Sequence, residues 1–149
     1  MPRIFEYPVA VGPESIDILG HANNREYLRW MEEAAIAHST ARGWPMERYV
    51  GLGQAWVAAT HFLEYLRPAV AGDALTVFTW IAELGMRDCR RRYAVRRDRK
   101  WLARGETRWA YIDLATGRAI DITSEVAMSF EPVADGDPAL AALGLARWW

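Results

Sequence analysis

The polar side chains best suited to chemistry lie between positions 17 and 24, just before the longest helix that the sequence predicts. Asp17 supplies a carboxylate there, and His21, Asn23 and Asn24 follow it in a stretch rich in turn-forming residues. A carboxylate can act as a nucleophile or as a general base on water. The first N–H groups of a helix lack intrahelical partners and can stabilise a negatively charged oxygen. This combination suits attack on a carbonyl carbon, whereas the simpler interpretation of Asp17 is a residue that only shapes the turn.

The helix that positions these groups is predicted from Asn24 to Arg42. Its apolar residues recur at helical spacing and are Tyr27, Trp30, Met31, Ala34, Ala35, Ile36 and Ala41. Asn23 or Asn24 is a suitable N-cap, and the pair Gly43 and Pro45 is typical of a helix end. The sequence therefore predicts one long helix that begins next to the candidate reactive groups.

Strand patterns lie on both sides of this helix. They cover Arg3–Val11, Gln54–Leu66, Asp73–Leu84, Met86–Arg97 and Trp101–Asp113. Alternation within the fourth strand places one set on a common face, namely Cys89, Arg91, Tyr93, Val95 and Arg97. The segment 98–100 is predicted as a hairpin turn, 119–131 as a short strand or helix, and 138–145 as a possible short helix. A long helix with an antiparallel meander indicates an α+β protein, with the sheet wrapped around the helix.

Length and composition restrict the function classes. The chain has 149 residues, one cysteine (Cys89) and three histidines, so we expect a single domain over 1–149 with no disulfide and no metal site. No apolar run is long enough to span a membrane, and the first residues lack the apolar core of a secretory signal. We therefore expect a cytoplasmic protein with no membrane span.

Charge is distributed unevenly although the net charge is only −1. The segment 85–110 carries ten basic and three acidic side chains. Such a zone attracts phosphate or carboxylate groups, and its simpler interpretation is a solvated strand face. The segment lacks the spacing of aromatic residues that is typical of proteins that bind single-stranded nucleic acid, and the sequence has no helix-turn-helix pattern. We therefore expect no nucleic-acid partner.

Three motifs resemble one protein family. Residues 17–28, DILGHANNREYL, resemble the D-x-x-G-H-x-N-N-x-x-Y-L motif of hotdog-fold acyl-CoA thioesterases, in the branch similar to 4-hydroxybenzoyl-CoA thioesterase and the long-chain acyl-CoA thioesterases. Residues 65–73, YLRPAVAGD, resemble Y-L-R-P-x-x-x-G-D, and residues 113–118, DLATGR, resemble D-L-x-T-G-R. The resemblance runs from about residue 3 to about residue 126. Family members often carry a second acidic or polar residue two positions before the aspartate, and this chain has Ser15 there, a small departure. The tail 132–149, which ends in Trp148-Trp149, has no counterpart in the family.

The resemblance implies a hotdog fold, a homodimer or homotetramer, and active sites at the subunit interface near the start of the helix. It implies that Asp17 is the catalytic acid, as nucleophile through a mixed anhydride or as general base. His21 either orients the acyl group or hydrogen-bonds the loop, and Asn23 and Asn24 either position water and the thioester oxygen or cap the helix. The further candidates are Gly20, for the tight loop, and Tyr27, near the acyl pocket.

The predicted substrate is an acyl-CoA or aryl-CoA, so coenzyme A is part of the substrate and no separate cofactor is expected. Its phosphates suit arginine, and the candidates are Arg67, Arg87, Arg90 and Arg91. An acidic acyl carrier protein would suit the same arginines. Four residues are candidates for closing the acyl pocket or flanking a long chain, namely Trp30, Trp44, Met46 and Trp56.

Two other functions compete with a thioesterase. A hotdog protein that binds an acyl thioester without cleaving it is disfavoured by Asp17. A dehydratase or hydratase needs a His and Asp pair, and His38 has no Asp at a matching position. Some hotdog thioesterases instead use a glutamate on the helix, which makes Glu32 and Glu33 the next candidates if Asp17 is dispensable. Chain length, aryl preference and pathway are not determined by the sequence.

Overall fold

The computed structural model describes residues 2–147, so Trp148 and Trp149 lie outside the described residues. The strands are β1 (Phe5–Ala10), β2 (Gln54–Tyr65), β3 (Ala74–Leu84), β4 (Asp88–Arg97) and β5 (Lys100–Asp113). The helices are α1 (Asn24–Ala41), α2 (Met46–Gly51), α3 (Ser124–Ser129) and α4 (Pro138–Ala142). A short 3-10 turn, Pro13–Ser15, precedes the loop that carries Asp17.

The five strands form one antiparallel sheet in the order β1-β3-β4-β5-β2. This confirms the predicted α+β class and the antiparallel meander. Strands β3, β4 and β5 are joined in sequence order and form the centre, whereas β1 and β2 are the two edges. Pro8 lies in β1, an edge position where its missing N–H costs no central hydrogen bond.

Helix α1 has 18 residues and packs its apolar stripe on one face of the sheet. Tyr27, Trp30 and Met31 are buried there against Val77 of β3 and other inward-facing strand residues. Full burial of such side chains contributes about 1.5–3 kcal/mol each, so this stripe fixes the position of the helix on the sheet. The start of α1 is thereby held close to the loop before it.

The opposite face of the sheet is covered by the C-terminal segment. Val133, Leu140 and Leu145 are buried against Phe78 and Trp80 of β3. The expected short helix after Pro138 is present as α4, and the open segment 119–131 forms a single β-bridge at Ala119 followed by α3. The sheet is therefore covered on both faces, by α1 on one and by the tail on the other.

Helix α2 was not predicted from the sequence. It has six residues, follows Pro45 as N-cap, and buries Tyr49 against Trp44 with ring centroids 5.0 Å apart. Six residues make fewer than two helical turns, so the apolar spacing carries no clear period. The short helix matters because it forms one wall of a cavity described below.

Candidate active site

The residues of the first motif form a narrow hairpin at the start of α1. Ile16 and Ala22 form an antiparallel bridge, and the N–H of Asp17 donates to the carbonyl of His21 at 2.9 Å. The N–H of Gly20 donates to the carbonyl of Asp17 at 3.0 Å, and Gly20 adopts a φ of 79°. That left-handed conformation is costly for a residue with a Cβ, so glycine at this position permits the tight turn. The hairpin fixes the backbone of Asp17.

The Asp17 carboxylate is held by one hydrogen bond. Its Oδ1 accepts from the N–H of Leu19 at 2.9 Å, which is the turn-shaping role expected of an aspartate. Within residues 2–147 the carboxylate makes no ion pair, and Oδ2 has no protein donor. Asp17 is half-buried at the base of the hairpin. One oxygen thus orients the group while the other is available to water or substrate.

Asn23 caps α1, which confirms the capping interpretation for one of the two asparagines. Its side-chain oxygen accepts from the N–H of Arg25 at 3.1 Å, and its carbonyl accepts from the N–H of Glu26 at 2.9 Å. These bonds occupy two N–H groups of the first turn. The N–H of Asn24 has no acceptor within residues 2–147. It is the first-turn donor that can reach an external oxygen, and the dipole of α1 favours negative charge there.

A surface cleft of about 190 Å³ brings together four of the predicted site residues. Its lining comprises His21, Ala22, Asn24, Tyr27, Tyr65, Leu66, Arg67 and Pro68. His21, Asn24 and Arg67 are exposed, whereas Tyr27 forms the buried base. The cleft therefore joins the first motif to the YLRP segment of the second.

Two hydrogen bonds to Ala69 tie these motifs together. The N–H of Ala22 donates to the carbonyl of Ala69 at 2.8 Å, and the N–H of Ala69 donates to the hydroxyl of Tyr27 at 2.9 Å. Burial raises the pKa of Tyr27, so the hydroxyl stays protonated. The hydroxyl of Tyr65 donates to the carbonyl of Asn24 at 2.9 Å. The YLRP segment is thus a structural support for the loop that carries Asp17.

The predicted arginines do not form one group. Arg67 borders the cleft and donates to the carbonyl of Trp101 at 2.8 Å. Arg87 and Arg90 lie near the start of β4, at the opposite end of the sheet, where Arg87 pairs with Asp121 at 2.7 Å. Arg91 points inward and is 4% exposed, and its assignment to coenzyme A phosphates stays a prediction. Its side chain reaches an interior cavity.

That cavity lies under the C-terminal half of α1 and has a volume of about 100 Å³. It is lined by Ala35, Ile36, Ser39, Trp44, Met46, Tyr49, Trp56, Ile81, Cys89, Arg91, Trp109 and Phe130. Three of the four predicted pocket residues, Trp44, Met46 and Trp56, line it together. The fourth, Trp30, is buried in the main core instead. The sequence showed these aromatic residues but not the space that they enclose.

The helix glutamates take part in other contacts. Glu33 accepts from Arg29 at 2.8 Å and from the hydroxyl of Tyr7 at 3.3 Å. Glu32 lies 3.5 Å from Nε2 of His61, whose Nδ1 is 2.8 Å from the hydroxyl of Thr107. Sequence analysis did not predict this contact between α1 and β2, because it joins residues 29 positions apart through the tertiary fold.

No cluster of three or more His, Cys, Asp or Glu side chains able to hold a metal ion occurs within residues 2–147. In the same part of the chain, no helix is long and apolar enough to cross a membrane. Cys89 is buried, and burial raises the pKa of its thiol to about 12. The thiol is therefore not an activated nucleophile.

Comparison with known proteins relates the sequence and the fold to a family. A family model described as the thioesterase-like superfamily matches residues 11–130. A hypothetical protein, TT1821 from Thermus thermophilus, is 25% identical, with a TM-score of 0.80 over 85% of this chain and 96% of that chain. A 1,4-dihydroxy-2-naphthoyl-CoA thioesterase from Synechocystis is 19% identical, with a TM-score of 0.78 over 85% and 94% of the two chains.

A third structure, the hypothetical protein SAV2348 from Staphylococcus aureus in complex with CoA, is 16% identical. Its TM-score is 0.80 over 85% of this chain and 80% of that chain. A search among curated proteins found no match. At these identities the last two structures show a shared fold, whereas the family model covers most of the sequence itself.

Proposed function

Since the chain belongs to the thioesterase-like superfamily, we propose that it hydrolyses an acyl-CoA thioester with Asp17 as the reacting carboxylate. The observation that supports this most directly is the geometry of the Asp17 side chain. One of its oxygens is fixed by the N–H of Leu19, the other has no protein donor within residues 2–147, and α1 begins seven residues later at Asn24. A residue that only shaped the turn would need the first feature and not the others.

The reaction follows from the groups at hand. As a general base, Asp17 takes a proton from water while the water oxygen bonds to the acyl carbon. As a nucleophile, it bonds to the acyl carbon itself, and water later cleaves the mixed anhydride. In both routes the carbon–sulfur bond breaks and the electron pair leaves on the thiolate. The N–H of Asn24 and the dipole of α1 stabilise the negative carbonyl oxygen.

Coenzyme A is the proposed carrier of the acyl group. The neighbour from Staphylococcus aureus was solved with CoA, which supports this ligand for the shared fold. The exposed Arg67 beside the cleft, with Arg87 and Arg90 at the other end of the sheet, offers charge for the phosphates. An acyl carrier protein, which is acidic, is the alternative carrier for the same residues.

We also propose that two chains pair through β2. This edge strand has 12 residues and exposes apolar side chains, among them Val57, Phe62 and Tyr65. A long exposed edge strand tends to pair with another strand. Antiparallel pairing with a second copy places the Gln54 end of one β2 beside the Tyr65 end of the other. That arrangement brings Arg87 and the 113–118 turn of one chain towards the cleft of the second copy.

The test is a hydrolysis assay over a panel of acyl-CoA and aryl-CoA thioesters, with release of thiol as the signal. The wild type is compared with Asp17→Asn and with Asp135→Asn, a matched substitution at an exposed aspartate that pairs with Arg92. We expect cleavage by the wild type and by Asp135→Asn, and a loss of about 100-fold or more in kcat for Asp17→Asn.

The other outcomes identify the competing functions. A wild type that binds acyl-CoA but cleaves no member of the panel, nor the same acyl groups on an acyl carrier protein, is a binding protein. Hydrolysis that survives Asp17→Asn removes Asp17 from the chemistry. In that case Glu32 and Glu33 on α1 become the residues to replace.

A further inference from the structure

The interior cavity under α1 is lined mainly by apolar side chains. Aromatic side chains from four different elements or segments form most of its wall, among them Trp44, Tyr49, Trp56 and Trp109. Ile36 and Met46 lie at its rim and are 44% and 48% exposed, so the cavity opens between α1 and α2. Its lining also includes the hydroxyls of Ser39 and Tyr49, which are 2.9 Å apart, and one charged group, the guanidinium of Arg91 on β4.

Arg91 is the one permanently charged side chain that is buried within residues 2–147. Its Nη1 donates to Nδ1 of His38 at 2.9 Å and to the hydroxyl of Thr79 at 3.1 Å. Both acceptors are neutral, and no carboxylate of the described residues pairs with it. A guanidinium stays ionised in proteins, and a buried charge without a counter-charge costs several kcal/mol. The other arginines of β4 pair with Glu or Asp, or stack on aromatic rings.

The hydrogen-bond inventory around Arg91 contains more donors than acceptors. A guanidinium has five N–H donors, and Nε and Nη2 of Arg91 have no protein acceptor among residues 2–147. Because Arg91 only donates, Nδ1 of His38 accepts and the ring proton lies on Nε2, which is buried without a partner. Within the described residues no carboxylate pairs with Arg91, and donors of Arg91 and His38 lack acceptors, so one bound carboxylate would supply a counter-charge and acceptor atoms.

We infer that this cavity takes an apolar acyl group that carries a carboxylate, and that Arg91 recognises that carboxylate. A carboxylate matches the planar guanidinium through two parallel hydrogen bonds. The apolar walls accommodate the carbon chain or ring to which the carboxylate is attached. A phosphate is disfavoured because its further oxygens would face these apolar walls. Arg91 is thus a specificity-determining residue for the acyl part of the substrate.

This inference rests on the proposed thioester hydrolysis and on pairing through β2. Within one chain, Asn24 at the cleft and Ala35 at the cavity are separated by about 16 Å along α1. Trp56, near the Gln54 end of β2, belongs to the cavity, whereas Tyr65, at the other end, belongs to the cleft. Antiparallel pairing of β2 with a second copy therefore sets the cavity of one chain beside the cleft of the other.

The first experiment needs neither activity nor a variant. Octanoate and octanamide have the same shape, and only the first is charged at neutral pH. Binding of each to the wild type is measured through the fluorescence of the tryptophans, three of which line the cavity. We expect octanoate to bind at least about tenfold more tightly than octanamide. Equal affinities, or tighter binding of the amide, overturn the inference.

Variants then assign the preference to Arg91. In Arg91→Met the preference for octanoate should disappear, whereas Arg91→Lys should retain part of it. Arg96→Met is the matched control, because Arg96 lies on the same strand and its guanidinium stacks over Phe78 on the opposite face. The control should keep the full preference. A preference that persists in a folded Arg91→Met, verified by circular dichroism, refutes the assignment.

Hydrolysis tests whether the cavity serves the reaction. Two CoA thioesters of equal chain length are compared, one with a terminal carboxylate and one with a terminal methyl group. We expect wild-type kcat/KM to favour the carboxylate, and Arg91→Met to reduce the ratio of the two values at least about tenfold. Cleavage of both thioesters without such a preference refutes the inference but leaves the hydrolase proposal intact. Binding preference without any hydrolysis supports the carboxylate site and contradicts the proposed function.

Discussion

The hydroxyl of Tyr27 should be worth far more to stability than that of its neighbour Tyr65. Tyr27 is 2% exposed and its hydroxyl accepts the N–H of Ala69, which is fully buried. In Tyr27→Phe that N–H keeps no acceptor, and a buried unsatisfied donor costs about 1–3 kcal/mol. We therefore expect the free energy of unfolding to fall by about 2 kcal/mol.

Tyr65→Phe is the matched control. Its hydroxyl donates to the carbonyl of Asn24, and Tyr65 is 43% exposed, so water replaces the lost bond. We expect a change within about 0.5 kcal/mol for this variant. The two phenylalanine variants differ from the wild type by the same single atom. Their comparison therefore isolates burial as the cause.

The assay is equilibrium unfolding in urea, followed by circular dichroism, with unchanged slopes as the condition for comparing free energies. Hydrogen exchange adds a local measurement, because Ala69 also accepts the N–H of Ala22 in the loop of Asp17. Both amides should exchange faster in Tyr27→Phe than in Tyr65→Phe. If the two variants lose equal stability, the argument that Tyr27 supports the loop of Asp17 is refuted.

Three further predictions concern other parts of the molecule. Burial and the charge of Arg91 lower the pKa of His38 to about 3 in the folded protein. As the pH falls below 6.5, the His38 imidazole therefore becomes protonated in the unfolded chain while it stays neutral in the folded protein. Wild-type stability should therefore fall from pH 6.5 to pH 4 by up to about 1.4 kcal/mol per pH unit more than that of His38→Gln, as measured by urea unfolding, and parallel pH dependences of the two proteins would contradict the buried neutral imidazole. The thiol of Cys89 is buried, and burial raises its pKa to about 12. It should therefore react with a thiol reagent orders of magnitude more slowly in the native protein than in urea, and comparable rates would contradict the buried placement. Light scattering should give a mass of at least two chains of 17.0 kDa each, and Val57→Lys on β2 should lower this mass towards that of one chain. A wild-type monomer would contradict pairing through this strand.

Periodicity was sufficient to predict the main elements. The predicted helix Asn24–Arg42 agrees with α1, Asn24–Ala41, to within one residue, since a wide apolar stripe and a clear cap define both ends. The predicted strands agree with β1–β5 to within two residues at each end. Each of them shows alternating apolar and polar residues or is bounded by Gly, Pro or Asp. Helix α2 was missed because six residues show no period.

The candidate site was only partly visible in the sequence. The motif loop, the cap of α1 and the contact of the loop with the YLRP segment all involve residues close to the start of α1. Three of the four residues named as pocket candidates line one cavity. The environment of Arg91 was not recognised, although alternation in β4 placed it on one face with Cys89, Tyr93 and Val95, which are all buried. Because Arg91 shares this alternation with apolar residues, the sequence pattern could have predicted that its side chain is buried. The cavity itself depends on α2 and Phe130 meeting the sheet, which no local pattern records.

The most direct test of the central claim separates chemistry from binding at Asp17. A thioether analogue of the best acyl-CoA substrate, which cannot be hydrolysed, gives Kd for the wild type and for Asp17→Asn, and steady-state assays give kcat for both. The proposed role predicts a similar Kd and a kcat lower by about 100-fold or more, since the carboxylate acts in the transition state. An Asp17→Asn variant that keeps its kcat, or that loses only affinity, would contradict it.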